Sequence, residues 1–165
     1  MDFTVRPARI EDAAAMAKMH MQSWRETYRG LMPDRVLDDP GLVAARERFW
    51  VSILTDDRFR ANRTALAERD RAVIGVAMAG PADDGAEPDG VAHLYVLYVV
   101  AAEHGSGAGA ALLNAVLPPE QPATLWVADP NPRAQAFYRK HGFVADGTEQ
   151  VDDGVREIRM VRRAQ

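Results

Sequence analysis

The segment between residues 99 and 117 has the composition of a phosphate-binding loop. Gly105, Gly107 and Gly109 stand at alternate positions, after a β-branched run and before an alanine- and leucine-rich segment that predicts a helix. Residues without side chains let the backbone approach a ligand closely, and a helix N-terminus offers N–H groups and the positive end of its dipole to an anion. The pattern therefore predicts a pyrophosphate site over residues 105–110.

Two kinds of cofactor carry a pyrophosphate that such a loop can bind, namely dinucleotides and coenzyme A. Gly105, Gly107 and Ala110 match the dinucleotide fingerprint G-x-G-x-x-G/A, and Asp129 lies roughly twenty residues on, where that fold keeps its ribose-binding acid. Three predicted strands precede the strand that leads into the loop, however, and the chain after the loop ends in a hairpin instead of further βα units. The same loop also fits the frame [Q/R]-x-x-G-x-[G/A], with His104 in its first position.

A second pattern, N-P-R-A-Q-A-F-Y-R-K-H-G-F at 131–143, places an amide and a phenol on one predicted helix. Tyr138 follows Asn131 by about two helical turns, so the two side chains share a face and can point into one cleft. Asn131 can serve simply as the helix N-cap, and Tyr138 can be a buried tyrosine with a satisfied hydroxyl. Both alternatives stay open beside a role in chemistry.

These patterns resemble the GNAT family of N-acetyltransferases. The stretch L-Y-V-V-A-A-E-H-G-S-G-A-G-A-A-L-L is similar to that family's acetyl-CoA-binding segment, and residues 131–143 to its N-x-x-A-x-x-[FL]-Y-x-x-x-G-F signature. S-W-R-E-T-Y-R-G-L-M-P at 23–33 resembles an N-terminal helix motif of many members. His104 stands where the family usually has glutamine or arginine. This departure predicts weaker or pH-dependent cofactor binding, unless His104 is a neutral surface residue.

The resemblance implies an enzyme that transfers the acetyl group of acetyl-CoA, its cosubstrate, to a primary amine. Asn131 is expected to bond the pantetheine arm or order the site, and Tyr138 to protonate the departing thiolate. An amide near Val99 would stabilise the oxyanion. The cofactor-binding residues so implied are the strand residues Leu97, Tyr98 and Val99, which pair with the pantetheine arm, and the amides of Gly105, Ser106, Gly107, Ala108, Gly109 and Ala110, which hold the pyrophosphate.

Direct attack in a ternary complex is favoured over an acyl-enzyme, because the chain has no cysteine and no evidently activated serine. The amine then needs a base, since an alkylammonium with a pKa of about 10.4 is almost fully protonated at neutral pH. His93 is the first candidate, because some aralkylamine-acetylating relatives carry a histidine at the matching place. Glu26 and Glu103 are weaker candidates that we expect to be solvated.

Trp24 and Tyr28 lie four residues apart, so they share one face of a helix. They either pack in the core or form one wall of the acceptor pocket, where aromatic rings suit aryl or cationic groups. The acceptor itself, a small-molecule or a peptide amine, is not specified by the sequence. A CoA-binding regulatory module without turnover is the alternative function from another class.

Composition narrows the classes of partner. The formal net charge is −4 with no block of like charge, which gives no support for nucleic-acid binding. The absence of cysteine excludes a disulfide framework and a thiolate zinc site, and we predict no metal site. The N-terminus lacks a signal-peptide pattern, and no stretch approaches a membrane span. We predict a cytoplasmic protein without a membrane partner; a homodimer is compatible with the sequence.

The elements that position these residues are predicted in the order β–α–α–β–β–β–α–β–α–β–β, in a single domain over residues 1–165. A nearly apolar run at 93–100 predicts a central strand buried on both faces, and residues 143–144 and 155–161 predict the last two strands. Residues 81–90 predict a loop. The fold class is α/β (α+β). The resemblance implies a mixed, mostly antiparallel sheet that splays open between the strands at 93–100 and 124–128 and is flanked by helices.

Overall fold

A computed structural model describes residues 2–82 and 87–163; part of the loop predicted at 81–90 lies outside these ranges. The described chain forms one seven-stranded sheet in the order β1-β2-β3-β4-β5-β7-β6. Its strands are β1 Thr4–Pro7, β2 Arg63–Arg69, β3 Ala72–Pro81, β4 Ala92–Val99, β5 Ala123–Ala128, β6 Val144–Asp152 and β7 Val155–Arg162. All neighbouring pairs are antiparallel except β4 and β5, which are parallel. The predicted mixed, mostly antiparallel sheet is confirmed.

Helices cover both faces of the sheet. Those of the described residues are α1 Ala13–Tyr28, α2 Asp34–Leu37, α3 Leu42–Thr55, α4 Ala108–Val116 and α5 Pro132–Lys140, with 3-10 turns at Ile10–Asp12, Asp57–Phe59 and Ala101–Glu103. α1 packs on β3, β4 and α3, whereas α4 packs on β1 to β4 from the other side. None of the helices described is long and apolar enough to cross a membrane.

The sheet opens between β4 and β5, as the resemblance implies. The two strands pair only where Ala92–Leu94 lies beside Ala123–Leu125, and they part beyond these residues. A bulge on β4 accompanies the opening: the consecutive residues Met78 and Ala79 of β3 pair with Val96 and Leu94, which leaves Tyr95 as an extra residue. A bulge bends its strand and increases its twist. The end of β4 therefore turns away from β5 and leaves a V-shaped gap in the sheet.

Two details of the strand prediction are wrong. β4 is not buried on both faces, because His93, Tyr95 and the segment 97–99 are only half-buried beside cavities. β6 is far longer than the predicted strand at 143–144 and reaches Asp152 with every residue exposed. It is an edge strand, so the alternation of apolar residues that marks a half-buried strand is absent from its sequence.

Candidate active site

Two cavities meet where β4 and β5 part. The loop-side cavity, of about 280 Å³, lies between β4, the glycine segment 105–110 and α5. The α1-side cavity, of about 300 Å³, is lined by α1, β4, β5 and α5. Leu97, Val99 and Tyr138 are among the residues that line both. A ligand bound against the glycines can therefore reach through the sheet to α1.

The glycine segment is a tight loop that ends in the first turn of α4. Gly105 has a φ of +86° and Gly107 a φ of +94°, in the left-handed region that favours glycine. Ser106 holds the loop from within, since its amide donates to the Glu103 carbonyl at 3.1 Å and its Oγ accepts from the Ala108 amide at 3.2 Å. The residues of this segment that line the loop-side cavity are Gly105, Gly107, Gly109 and Ala110.

The loop-side cavity is suited to an anion. Amides in the first turn of a helix have no intrahelical acceptor, and Gly109 and Ala110 lie in that turn of α4. A Cβ at Gly109 would stand 3.5 Å from the Phe137 ring of α5, so a larger side chain would fill the space between the two helices. Arg133 and Lys140 add positive charge from α5. Sequence reasoning missed these two cations. Arg133 and Lys140 are seven residues apart, which is about two helical turns, so their spacing alone predicts that they share one face of the helix.

His104 is exposed but bonded across the loop. Its Nε2 lies 3.0 Å from the Val99 carbonyl, so this nitrogen carries the hydrogen of that bond, and the Ser23 hydroxyl donates to the same oxygen at 3.1 Å. The imidazole thus connects the loop to the last residue of β4 by a hydrogen bond, and it lines both cavities. His104 is thus a surface residue, as one alternative predicts, and it also contacts the carbonyl of a strand residue that lines both cavities.

The two weaker base candidates lie in different surroundings. Glu103 forms two hydrogen bonds of 3.0 Å with Arg69 and is mostly buried, so the expectation that it is solvated is wrong. Glu26 is exposed, lines the α1-side cavity and accepts a hydrogen bond from the Ala101 amide at 3.0 Å.

Asn131 and Tyr138 lie at one cavity, as their helical spacing predicts. Asn131 precedes α5, and its Oδ1 accepts from the Ala134 amide at 3.3 Å, so it is an N-cap. Tyr138 is 9% exposed and packs edge-on against Phe143. Burial raises the pKa of Tyr138, which keeps its hydroxyl protonated at neutral pH. Both line the α1-side cavity, where a phenol can donate a proton.

Comparison with known proteins decides between the two pyrophosphate ligands that fit the loop. A family model described as an acetyltransferase (GNAT) domain matches residues 36–164. The chain belongs to the GNAT family.

Individual relatives agree with this assignment. A probable N-acetyltransferase of Mycobacterium tuberculosis is 31% identical over 87% of this chain and 80% of that protein. An uncharacterized N-acetyltransferase of Bacillus subtilis, YuaI, is 33% identical over 67% of this chain and 60% of that protein. Among solved structures, the PaiA N-acetyltransferase of Thermoplasma acidophilum, in complex with coenzyme A, superimposes with a TM-score of 0.76 at 19% identity over 99% of both chains.

In this GNAT domain the two aromatic residues of α1 differ in position. Tyr28 lines the α1-side cavity, whereas Trp24 is absent from the lining residues of both site cavities. Trp24 lies beside Tyr28, with ring centroids 5.8 Å apart, and both pack against a small cluster of Met32, Leu37, Ala128 and Val155. Tyr28 therefore lines the candidate site, whereas Trp24 packs beside Tyr28 outside the two site cavities.

His93 lies outside the two cavities that meet at the splay. It lines a separate cavity of about 140 Å³ with Tyr95 and Trp126, which also line the α1-side cavity. Its Nδ1 lies 2.7 Å from the Thr124 hydroxyl, and its ring packs edge-on against Tyr95. Tyr95 and Trp126 thus lie between His93 and the gap where β4 and β5 part.

Sequence reasoning missed the side chain of Tyr98, which was assigned only a backbone role. Its ring packs against His20 of α1, with ring centroids 4.9 Å apart, and its side chain lines the α1-side cavity together with Tyr28. Burial raises the pKa of Tyr98 well above its ordinary value. No local pattern could have found this contact, because it joins a strand to a helix far away in the sequence. Among the residues that the structure describes, no group of three or more metal-ligating side chains is placed to hold a metal ion.

Proposed function

We propose that this GNAT domain transfers the acetyl group of acetyl-CoA to a primary amine by direct attack in a ternary complex. The observation that carries the proposal is the pair of cavities that meet at the splay. One offers helix amides, glycines and two cations to a pyrophosphate, and the other brings Tyr138 to the junction. The coenzyme A complex of the Thermoplasma relative supports the same arrangement.

The cosubstrate would lie along the residues that the two cavities share. Gly105, Gly107, Gly109 and Ala110 would hold the pyrophosphate, with Ser106 and Ala108 keeping the loop in shape. The parted edge of β4 at 97–99 would pair with the pantetheine arm, which replaces the missing strand neighbour. Asn131, which lines the α1-side cavity, would order that arm.

The reaction follows from this placement. The neutral amine attacks the thioester carbon from the α1 side, a C–N bond forms, and the carbonyl oxygen takes negative charge that an amide near Val99 stabilises. The C–S bond then breaks, the thiolate takes the Tyr138 proton, and Tyr138 recovers a proton from the nitrogen of the adduct. A thiol with a pKa of about 8.5 is a moderate leaving group, so this proton transfer assists without being indispensable. Tyr28 and Trp126 give the acceptor cavity aromatic walls, which suit aryl or cationic amines.

The first experiment is isothermal titration of the purified protein with acetyl-CoA, with NAD and NADPH as controls. Micromolar binding of acetyl-CoA alone is expected, followed by thiol release when a panel of alkyl, aryl and peptide amines is added. Binding without thiol release from any amine would favour a regulatory module that has lost turnover. Binding of the nicotinamide cofactors alone would refute the assignment of the glycine loop.

A further inference from the structure

Two cations of α5 line the loop-side cavity without a charged partner. Within the described part of the chain, neither Arg133 nor Lys140 forms an ion pair or a side-chain hydrogen bond. By contrast, Arg69 is paired with Glu103 at the edge of the same cavity. The charges of Arg133 and Lys140 are therefore available to an anionic ligand.

Two other ionisable side chains of the cavity do not cancel these charges. Among the described residues that line it, Glu103 is the one carboxylate, and two hydrogen bonds of 3.0 Å join it to Arg69. Burial lowers the pKa of His141, and the charges of Lys140 and Arg162 lower it further, so this imidazole is neutral at neutral pH. The loop-side cavity therefore has a net positive charge.

Arg133 and Lys140 lie towards opposite ends of α5. A separation of seven residues at 1.5 Å per residue places them about 10 Å apart along the helix axis. Arg133 lines both site cavities, so it lies near their junction, whereas Lys140 lines only the loop-side one of the two. Lys140 therefore lies at the end of that cavity farther from the gap between β4 and β5.

Beside Lys140, α5 offers an aromatic surface to the same cavity. Phe137 and His141 both line the cavity, both are half-buried, and their ring centroids are 4.5 Å apart. Phe137 also faces the first turn of α4, where a Cβ at Gly109 would stand 3.5 Å from its ring. An aromatic ring is a surface on which a nucleobase can stack.

The order of these groups along α5 matches the order of groups in coenzyme A. From the gap outward, the cavity has Arg133, then Phe137, and then Lys140 with His141. From its thiol end, coenzyme A has the pantetheine arm, the pyrophosphate, and an adenosine that carries a phosphate on its 3′ oxygen. The glycine amides and Arg133 suit the pyrophosphate, so the cation left for the third phosphate is Lys140. That phosphate is a monoester with nearly two negative charges at neutral pH.

We propose that Lys140, beside the surface of Phe137 and His141, binds the 3′-phosphate of coenzyme A, so that the domain distinguishes coenzyme A from 3′-dephospho-coenzyme A. This inference rests on the proposed function. The adenine stacks against Phe137, and the Lys140 ammonium donates to the phosphate oxygens. Both cations of α5 attract the cofactor, but only Lys140 contacts the phosphate that 3′-dephospho-coenzyme A lacks.

Isothermal titration with the two ligands tests this subsite. The wild type should bind coenzyme A about 10-fold more tightly than 3′-dephospho-coenzyme A, as expected for a charged hydrogen bond at an exposed side chain. In Lys140→Gln the two affinities should become nearly equal, because the affinity for coenzyme A falls while that for 3′-dephospho-coenzyme A changes little. Retained affinity for the second ligand also shows that the variant is folded.

Arg139→Gln is the matched control. Arg139 and Lys140 are exposed neighbours in the last turn of α5, where either cation suits the helix dipole, but Arg139 lines neither site cavity. Both variants remove one positive charge from the same turn, so the difference between them isolates the position of Lys140. Arg139→Gln should keep the preference of the wild type for coenzyme A.

Phe137→Leu tests the aromatic surface. Leucine keeps an apolar side chain but has no ring, and both ligands contain the adenine, so both affinities should fall by the same factor of about 10. The preference for coenzyme A should persist, which shows that the variant is folded and that Lys140 still acts. Affinities equal to those of the wild type would refute the stacking of the adenine on Phe137.

The remaining outcomes separate this subsite from the proposed function. A wild type that binds neither ligand refutes the proposed cofactor site and the 3′-phosphate subsite with it. Equal affinities of the wild type for the two ligands refute the subsite while the proposed function stands. Selective binding without thiol release from any amine refutes acetyl transfer and leaves the subsite standing.

Two further results would contradict the assignment to Lys140. A preference that Arg139→Gln removes as fully as Lys140→Gln does would come from long-range attraction and not from a contact. A preference that persists in Lys140→Gln and disappears in Arg133→Gln would place the 3′-phosphate at the other end of α5.

Discussion

Gly107 occupies a backbone conformation in the candidate cofactor site that favours glycine. Its φ of +94° lies in the left-handed region, it precedes α4, and it lines the loop-side cavity. Gly107→Glu brings a carboxylate to the place proposed for a pyrophosphate, so like charges repel and the cradle is filled. We expect the affinity for acetyl-CoA to fall at least about 100-fold, or about 2.7 kcal/mol, by isothermal titration.

Gly90→Glu is the matched control for this change. Gly90 has nearly the same backbone conformation, with a φ of +91°, and lies outside both site cavities. The two variants share the conformational strain, so the difference between their affinities isolates the effect of the position. Equal affinities for acetyl-CoA would show that the loop does not hold the phosphates.

The variant Tyr138→Phe tests whether this phenol protonates the departing thiolate. Burial raises the pKa of its phenol, so it is a proton donor at neutral pH and not a base. Tyr138→Phe should lower kcat about 10- to 100-fold, since protonation assists a leaving group that can depart without it, and should leave acetyl-CoA affinity nearly intact. Steady-state kinetics and titration separate these effects. A kcat equal to that of the wild type would remove Tyr138 as the acid.

Arg162 joins the two helices that frame the loop-side cavity. It is 7% exposed, and its guanidinium donates to the carbonyls of Pro118 and Gln121 after α4 and of His141 after α5. Its charge also lies over the Phe143 ring at 4.9 Å. One side chain of β7 thus binds the segments that follow both α4 and α5.

Arg162→Met should therefore destabilise the domain by about 3 kcal/mol or more, because three carbonyls lose a charged donor at once. Urea unfolding monitored by circular dichroism measures the free energy of unfolding. The neighbouring Arg163→Met changes an exposed side chain and should cost less than about 0.5 kcal/mol. Equal stabilities of the two variants would contradict the assigned role of Arg162.

Elements were predictable from the sequence wherever a local pattern defines them. The turn at Asp70 and Arg71, where both residues have positive φ, follows from its place between two alternating runs, and the start of α5 follows from Asn131 as its N-cap. The bulge at Tyr95 was not predictable, because it depends on the register of β3 against β4. The contact between Tyr98 and His20 likewise depends on α1 packing against β4.

At the scale of the whole molecule, one buried histidine couples folding to pH. His20 of α1 is 3% exposed, between the rings of Trp50 and Tyr98, and within the described part of the chain its Nδ1 has no hydrogen-bonding partner. Burial and the charge of Arg46 lower the pKa of His20 to about 3. The folded protein therefore holds this side chain neutral over a wide range of pH.

The sign of the effect on stability follows from the two pKa values. The unfolded chain has an ordinary histidine pKa of about 6.5, so as pH falls it binds a proton before the folded chain does. Stability is thus lost from about pH 6.5 downward, at about 1.4 kcal/mol per pH unit, until the folded pKa of about 3 is reached. At pH 5 the loss from His20 alone should be about 2 kcal/mol.

His20→Phe keeps an aromatic ring between the other two and removes the titrating group. The free energy of unfolding, measured in urea at pH 7.5 and pH 5, should fall by about 2 kcal/mol more in the wild type than in this variant. Carboxylates weaken both proteins equally in acid, so the difference between the two isolates His20. His104→Gln, a change at an exposed histidine, should follow the wild type. Parallel loss of stability in the wild type and His20→Phe would mean that His20 takes up its proton without unfolding.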